Sequence, residues 1–332
     1  MDFQSNGTEP LGEPSHILVL NHNGLDLLAE CLPSVVQAAQ AASGSCRVSV
    51  VDNESTDDSL RYLREQWPEV GVISAANRGL ASFNAVLRDL HEPVVLLLNN
   101  DVKLGRGGIE PLVAAVRANP DALFAAPCCW TFDGLTYEGM RTRVRSRFGL
   151  VQGLCRVPGH ESRVYQTDLT ASSGPILAVD RAKFLALGGY DPIYFPGRIE
   201  DLDLGFRGWM AGWRGYYVPE SVAYHRGFGS FGPAFGKLGC DRLAARNTLI
   251  FAWQNLGGRR LLAHLAWLPI RVAFALGSGR FGFVRALLAA IGRLGPIVKS
   301  RQERAVGAGD WTDRQEAFFQ RFAFDPPGPA PG

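Results

Sequence analysis

Apolar and polar positions come in blocks along the first third of the chain, and the blocks read as strands and helices in turn. Four short apolar runs, at residues 17–20, 48–51, 70–74 and 94–98, carry no charge. Runs of this length predict strands buried on both faces, as in a parallel sheet covered by helices. Between them the spacing becomes helical. Residues 25–42 place Leu28, Leu32, Val35 and Val36 on one side, with Pro33 predicting an irregularity. Ser55 and Asp58 fit a capping box for a helix ending near Gln66, and a third helix runs from about Leu80 to Leu90. The alternation predicts an α/β fold with right-handed crossovers.

Further on, a helix at 108–118 and a strand at 123–126 precede an irregular stretch reaching about Asp168. Within it Arg141, Arg143, Arg145 and Arg147 alternate, so one strand face would carry four cations toward either an anionic acceptor or solvent. Residues 199–204 open a helix with Leu202, Phe206, Trp209 and Met210 on its apolar side. That places Glu200 and Asp201 in the first turn, where the helix dipole favours negative charge. Strands follow at 214–219 and 221–225, the second ending in His225.

From about Leu256 the stretches 261–270, 272–276 and 281–294 are apolar and helical. Pro269, Arg271, the segment 277–280 and Arg285 interrupt them, so no apolar run reaches the roughly 18–20 residues of a spanning helix. Nine cations between Arg259 and Arg304 are opposed only by Glu303. Residues 256–308 are therefore either basic amphipathic helices on an anionic membrane surface or helices packed on the preceding domain with their arginines in solvent. A disordered leader is expected at 1–15, and a tail at 309–332 whose end, 325–332, is disordered.

Composition changes this picture little. The 332 residues are 46% hydrophobic and 20% charged, which is globular, and a net charge of +2 argues neither for nor against nucleic acid. The six cysteines show no C-x-x-C pair or zinc spacing, and Cys128 and Cys129 are adjacent, so a reducing compartment is expected. No apolar signal segment opens the chain. No strand is followed by G-x-G-x-x-G and there is no P-loop, which argues against a Rossmann dinucleotide site.

The candidate chemistry lies at the strand ends. Asn21, Asp52 and the run Asn99-Asn100-Asp101 follow three of the strands, and Asn77-Arg78-Gly79 follows the other. At the carboxyl ends of parallel strands, α/β proteins place their ligands. Asp101 there either binds a divalent cation or, with the two amides, simply closes a turn. On the residues alone His225 reads first as a strand-end histidine bonded to a carbonyl, with a metal ligand as the second reading.

With these pieces located, the chain resembles the family 2 glycosyltransferases of GT-A fold, above all their rhamnosyltransferase-like branch. The residues that carry the resemblance are Leu20-Asn21-His22-Asn23-Gly24, Val51-Asp52-Asn53-Glu54-Ser55-Thr56-Asp57, Asn77-Arg78-Gly79 with Asn84, Leu98-Asn99-Asn100-Asp101, Gly188-Gly189-Tyr190-Asp191, Glu200-Asp201-Leu202-Asp203-Leu204 and Tyr224-His225. They stand in family order across residues 16–250. The resemblance implies a catalytic domain at 16–255, with a nucleotide-binding half at 16–126 and an acceptor-binding half at 127–255. It implies an inverting transfer of a sugar, rhamnose by the branch, from a nucleotide-diphosphate sugar to an acceptor hydroxyl. Asp52 is then expected at the nucleobase with Asn53 and Asn21 nearby, and Asn77, Gly79, Asn84, Asn99 and Asn100 around the nucleotide sugar. Asp101 and His225 are expected to hold Mn2+ or Mg2+, with Asp201 as general base and Glu200 beside it. Asn99 replaces the first carboxylate of the common D-x-D motif, which removes a charge from the metal site. The partners expected are the donor, a glycan or lipid-linked acceptor and an anionic membrane surface, with no nucleic acid. The expected location is the cytoplasm or the inner face of its membrane. The competing readings are a non-catalytic nucleotide-sugar-binding module and a sugar-phosphate nucleotidyltransferase; the latter would carry a basic, glycine-rich loop where Asn21-His22-Asn23-Gly24 stands.

Overall fold

The computed structural model describes residues 15–227, 231–307 and 309–324. The expected leader, apart from Ser15, and the end of the expected tail at 325–332 lie outside the described residues. The first half alternates as the pattern predicts: β1 (Ser15–Asn21), α1 (Leu25–Ala41), β2 (Cys46–Asp52), α2 (Ser59–Gln66), β3 (Gly71–Ser74), α3 (Phe83–Asp89) and β4 (Val94–Asn99). There follow β5 (Val102–Leu104), α4 (Ile109–Ala118), β6 (Ala122–Thr131), β7 (Tyr137–Gly139), β8 (Arg143–Arg147), β9 (Leu150–Leu154), β10 (Asp168–Leu169), β11 (Ile176–Asp180), α5 (Arg181–Ala186), α6 (Glu200–Met210) and β12 (Arg214–His225). The chain closes with α7 (Phe231–Asn255), kinked at Gly236, then α8 (Gly258–Gly277), α9 (Phe281–Ile291), α10 (Leu294–Glu303) and α11 (Gly309–Arg321).

Among the described residues one sheet runs β10-β12-β6-β11-β4-β1-β2-β3, with β5 on β12 and β7 on β6. β1 pairs in parallel with β2 and β4, and β2 with β3, while β11 is antiparallel to both β4 and β6. β4 is buried from Val94 to Leu98, the double-sided burial that its unbroken apolar run requires. A second core joins α6, α7 and α11, where Phe206 meets Phe251 and Phe318 edge-on at 5.4 and 5.0 Å.

Several expectations are corrected. α1 runs on through Pro33, and α8 through Pro269 and Arg271. In α1 the burial of Leu28, Leu32, Val35 and Val36 against the sheet outweighs the proline's missing hydrogen bond. α8 is consequently a single 20-residue helix, long and apolar enough by length and composition to cross a membrane. Ser55 and Asp58 form no capping box. α2 starts at Ser59 with no side-chain cap at Asp58, and Ser55 instead accepts hydrogen bonds from Asn21 and from the Asn23 backbone. The stretch up to Asp168 contains β7 and the β8–β9 hairpin. Arg141 and Arg143 neither line an acceptor face nor sit in solvent; both are buried and ion-paired with Asp168, which Arg321 also engages. Residues 309–321 are a packed helix: Phe318, Phe319 and Phe322 are buried, and Arg314 donates to the Met210 carbonyl at 2.7 Å.

Candidate active site

The register of the parallel strands assembles the polar turns. Asn21 stands opposite Asp52, and Leu20 opposite Asn99, so three strand ends share one edge. Asn100 Nδ2 donates to Asn21 Oδ1 at 2.7 Å and Asn21 Nδ2 donates to Ser55 Oγ at 3.2 Å. Asn21, fully buried, thus spends its amide on tying β1 to the turns after β2 and β4. Gly24 makes this possible, because a Cβ there would land on the Asn100 amide and 2.7 Å from Asn21 Oδ1. Asp52 accepts the Ser55 N–H through Oδ2, while its Oδ1 and Asn53 Oδ1 are buried without a partner. Buried acceptors left unmatched in this way await a donor.

The Asn77-Arg78-Gly79 turn closes one side. Asn77 Oδ1 accepts from Gly79 N, and Asn53 Nδ2 reaches the Gly79 carbonyl at 3.4 Å. Gly79 has φ +58°, and a Cβ on it would sit 2.9 Å from the Pro196 carbonyl, so this turn abuts the loop that leads to Glu200. Asn84 is committed elsewhere than the pocket. It donates to the Gly188 and Tyr190 carbonyls and accepts from Tyr190 N, bracing the 188–190 turn.

Asp101 and His225, far apart in sequence, meet because β5 pairs antiparallel with the end of β12, Val102 opposite His225. His225 Nε2 is 3.4 Å from Asp101 Oδ2, and Nδ1 is 2.6 Å from Glu138 Oε2. Burial lowers the imidazole's affinity for a proton, but hydrogen bonds and charge from Asp101 and Glu138 outweigh it and raise the pKa to about 9. Asp101 Oδ1 is buried without a partner. With the Nε2 proton displaced, as metal binding requires, the imidazole and this unmatched carboxylate oxygen are a donor set that fits one hard or borderline divalent cation.

Glu200 and Asp201 open α6 after Arg198 and Ile199, both in the left-handed region at φ 80° and 78°. Non-glycine residues hold that conformation where surrounding structure enforces it. Here Asn247 Nδ2 is shared among the Tyr194, Gly197 and Arg198 carbonyls, and Arg246 donates to the Phe195 carbonyl. Asp201 accepts from Ser172 Oγ at 2.8 Å and from the Leu202 N–H at 2.8 Å. The Ser172–Pro175 segment is bonded at its other end to Asn99 N, so Asp201 and the Asn99–Asp101 turn lie at the same edge. Burial and the Asp201 charge push the Glu200 carboxyl up to about 8, and its Oε2 has no partner. One turn on, buried Asp203 binds Arg207, Asn255, Arg304 and Tyr194; burial opposes its ionisation, yet the two guanidinium groups hold it at about 2.

Of the residues singled out in the sequence, Asp52, Asn53, Asn77, Gly79, Asn99, Asp101, Glu200, Asp201 and His225 gather at this edge, while Asn21, Asn84 and Asn100 brace it. Glu138, Ser172 and Asn247 went unsingled. Ser172 lies in the polar, turn-forming run Ser172-Ser173-Gly174-Pro175, but nothing near Glu138 or Asn247 in the sequence marks them. A separate cavity of about 460 Å3 lies at the opposite edge, where β4 begins, lined by His91, Pro93, Arg117 and Lys183. Its lysine is paired with Asp180, and none of the groups above reaches it.

A mostly parallel sheet whose carboxyl edge carries amide and carboxylate turns, an Asp–His pair and a helix-borne carboxylate is the arrangement of a nucleotide-sugar transferase. The glycosyl transferase family 2 model matches residues 16–180. The N-acetylglucosaminyl-diphospho-decaprenol L-rhamnosyltransferase of Mycobacterium tuberculosis, strain CDC 1551 / Oshkosh, is 30% identical over 259 residues, 70% of this chain and 81% of the relative. The strain H37Rv protein of that name matches equally. The chain belongs to glycosyl transferase family 2 and is a glycosyltransferase. Its fold is GT-A: it superposes on GalNAc-T7, solved with UDP, GalNAc and Mn2+, with TM-score 0.52 at 20% identity over 64% of this chain. It spans 44% of that protein. The mannosyltransferase PcManGT of Pyrobaculum calidifontis, solved with GDP-Man and Mn2+, aligns over 92% of this chain and 86% of its own at 18% identity and TM-score 0.49.

Proposed function

We propose that this enzyme transfers a sugar, with inversion, from a nucleotide-diphosphate sugar to a hydroxyl of a lipid-linked glycan, with Asp201 as the general base. The observation that carries the reading is the placement of Asp201 at the α6 N-terminus, at the edge it shares with the Asn99–Asp101 turn. Burial and the neighbouring Asp201 charge push the Glu200 carboxyl up to about 8, which favours Asp201 over Glu200 as the group that takes the acceptor's proton. Ser172 Oγ and the Leu202 N–H hold that carboxylate in place. Asp52 and Asn53 offer unmatched oxygens to the N–H and O–H donors of a nucleoside.

Asp101 and His225 would hold Mn2+ or Mg2+. A bound ion there supplies positive charge against the diphosphate that leaves. Among the described residues no cluster of three acidic, histidine or cysteine ligands forms, so an ion held by Asp101 and His225 would need further oxygen ligands from outside the protein. That GalNAc-T7 was solved with UDP and Mn2+ supports this assignment, and the relative's name supports rhamnose as the sugar and a polyprenyl-diphosphate glycan as the acceptor.

The test is nucleoside diphosphate release from a panel of nucleotide sugars, with a lipid-diphosphate N-acetylglucosamine acceptor, in Mn2+, Mg2+ or EDTA. Metal-dependent release from one donor, lost in Asp101→Ala, supports the reading; release indifferent to EDTA and to Asp101→Ala overturns the metal assignment.

A further inference from the structure

The most unusual surface of the molecule is the outer side of α8. Helices on a soluble domain turn their polar side to water. In α8 the order is reversed. Every exposed position between Leu262 and Leu276 is apolar, while the polar residues of that span, His264 and Arg271, point inward. Leu262 is 68% exposed and Phe274 64%, with Leu265 and Ile270 between them. α9 continues the face with Phe281 and with Leu288, 62% exposed. A contiguous apolar surface on this scale marks a non-aqueous partner.

Two further observations say which one. No carboxylate occurs from Gly258 to Gln302, and the exposed cations Arg280, Arg285 and Lys299 stand beside the apolar face, so its charge complements an anionic surface. Most other arginines of this segment are engaged inward. Arg260 binds Glu316, Arg293 the Ile193 carbonyl, Arg301 the Trp253 and Leu256 carbonyls, and Arg304 Asp191 and Asp203. The basic composition of the segment therefore overstates its surface charge, and apolar contact dominates.

The inner side of α8 excludes a spanning arrangement. His264 donates from Nδ1 to the Gly149 carbonyl at 2.7 Å and accepts from Trp253 Nε1 at 2.9 Å. Arg271 Nε donates to the Phe148 carbonyl at 2.7 Å, and Arg260 joins Glu316 of α11. A helix surrounded by lipid would break these bonds along its whole length and leave buried polar groups unmatched.

We infer that α8 and α9 dock this protein on a bilayer containing anionic phospholipid, lying in the plane of the interface with the apolar face in the acyl–headgroup boundary. The Phe148–Trp267 aromatic pair, with ring centroids 5.0 Å apart, sits at the rim, where such rings favour the headgroup level. The inference deepens the proposed use of a lipid-linked acceptor without resting on it, since it follows from the surface alone.

The test is co-sedimentation of the full chain with phosphatidylcholine vesicles, with and without phosphatidylglycerol. Nucleoside diphosphate binding is measured on the same samples to report folding. The expected result is binding to both, stronger with phosphatidylglycerol and released by alkaline carbonate. Leu262→Gln/Phe274→Gln/Leu288→Gln should weaken it about ten-fold or more, and Arg280→Gln/Arg285→Gln should remove the preference for anionic lipid. Nucleotide binding should be unchanged in each. Four results would overturn the inference: absence of wild-type binding, a triple variant that sediments like wild type, resistance to carbonate, or a dimer dispersed by the triple variant. Failure of the proposed reaction would appear only in the donor assay.

Discussion

Glu138 Oε2 lies 2.6 Å from His225 Nδ1, so that Nε2 is the nitrogen facing Asp101. A carboxylate behind a ligating imidazole fixes the ring's orientation and raises its basicity. Glu138 reaches this position because β7 pairs with β6, and β6 with the end of β12.

Glu138→Gln is therefore expected to weaken Mn2+ binding about 10–100-fold. Calorimetric titration of Mn2+ in the presence of nucleoside diphosphate measures this. An affinity equal to wild type would mean that Glu138 does not position a ligand.

Asp201→Asn is expected to lower turnover by about 10²–10⁴ while leaving donor affinity intact. Ser172→Ala, which removes a bond to that carboxylate and not the carboxylate itself, should have a smaller effect in the same direction. Single-turnover measurements with the donor saturating separate the two quantities.

Glu200 makes stability depend on pH. Its folded pKa, about 8, lies above the ordinary value of 4.5, so the folded state binds the extra proton and stability falls as pH rises from 4.5 to 8. Glu200→Gln removes the titrating group. The variant should match wild type near pH 4.5 and become more stable than wild type by on the order of 1–3 kcal/mol at pH 9, read by urea unfolding. Its activity should stay near that of wild type at pH 7, where the glutamine mimics the neutral acid.

Arg304→Met should be strongly destabilising, about 3 kcal/mol, because Asp203 is fully buried and would keep only Arg207 as a charged partner. A change under about 1 kcal/mol in chemical denaturation would show that the C-terminal helices do not brace α6.

Gly24→Ala is expected to cost about 1–3 kcal/mol, since the added methyl meets the Asn100–Asn21 hydrogen bond inside a packed turn. Nucleotide affinity should fall with it, as this bond aligns the turns that follow β1 and β4.

The first half of the fold was legible because its signals are local. The unbroken run Val94–Leu98 needs cover on both faces, and a parallel sheet between helices provides it. Asn21, Asp52 and Asn99 could be placed together from sequence because parallel pairing puts successive strand ends on one edge. Local signals misled at Pro269 and Ser55. Pro269 in isolation ends a helix, yet α8 continues past it, its inner face held by His264, Arg271 and Arg260. Ser55 was wanted by Asn21 more than by α2.

What the sequence by itself determined is the α/β order, the family and the polar strand ends, since each is written in neighbouring residues. Only the tertiary structure decided that Glu138 stands behind His225, that Asn84 braces a turn, that Arg141 and Arg143 are buried on Asp168, and that α8 turns its apolar side outward. The reason is physical. Periodicity reports how much of an element is apolar, but which side meets protein and which meets solvent depends on partners brought from distant parts of the chain.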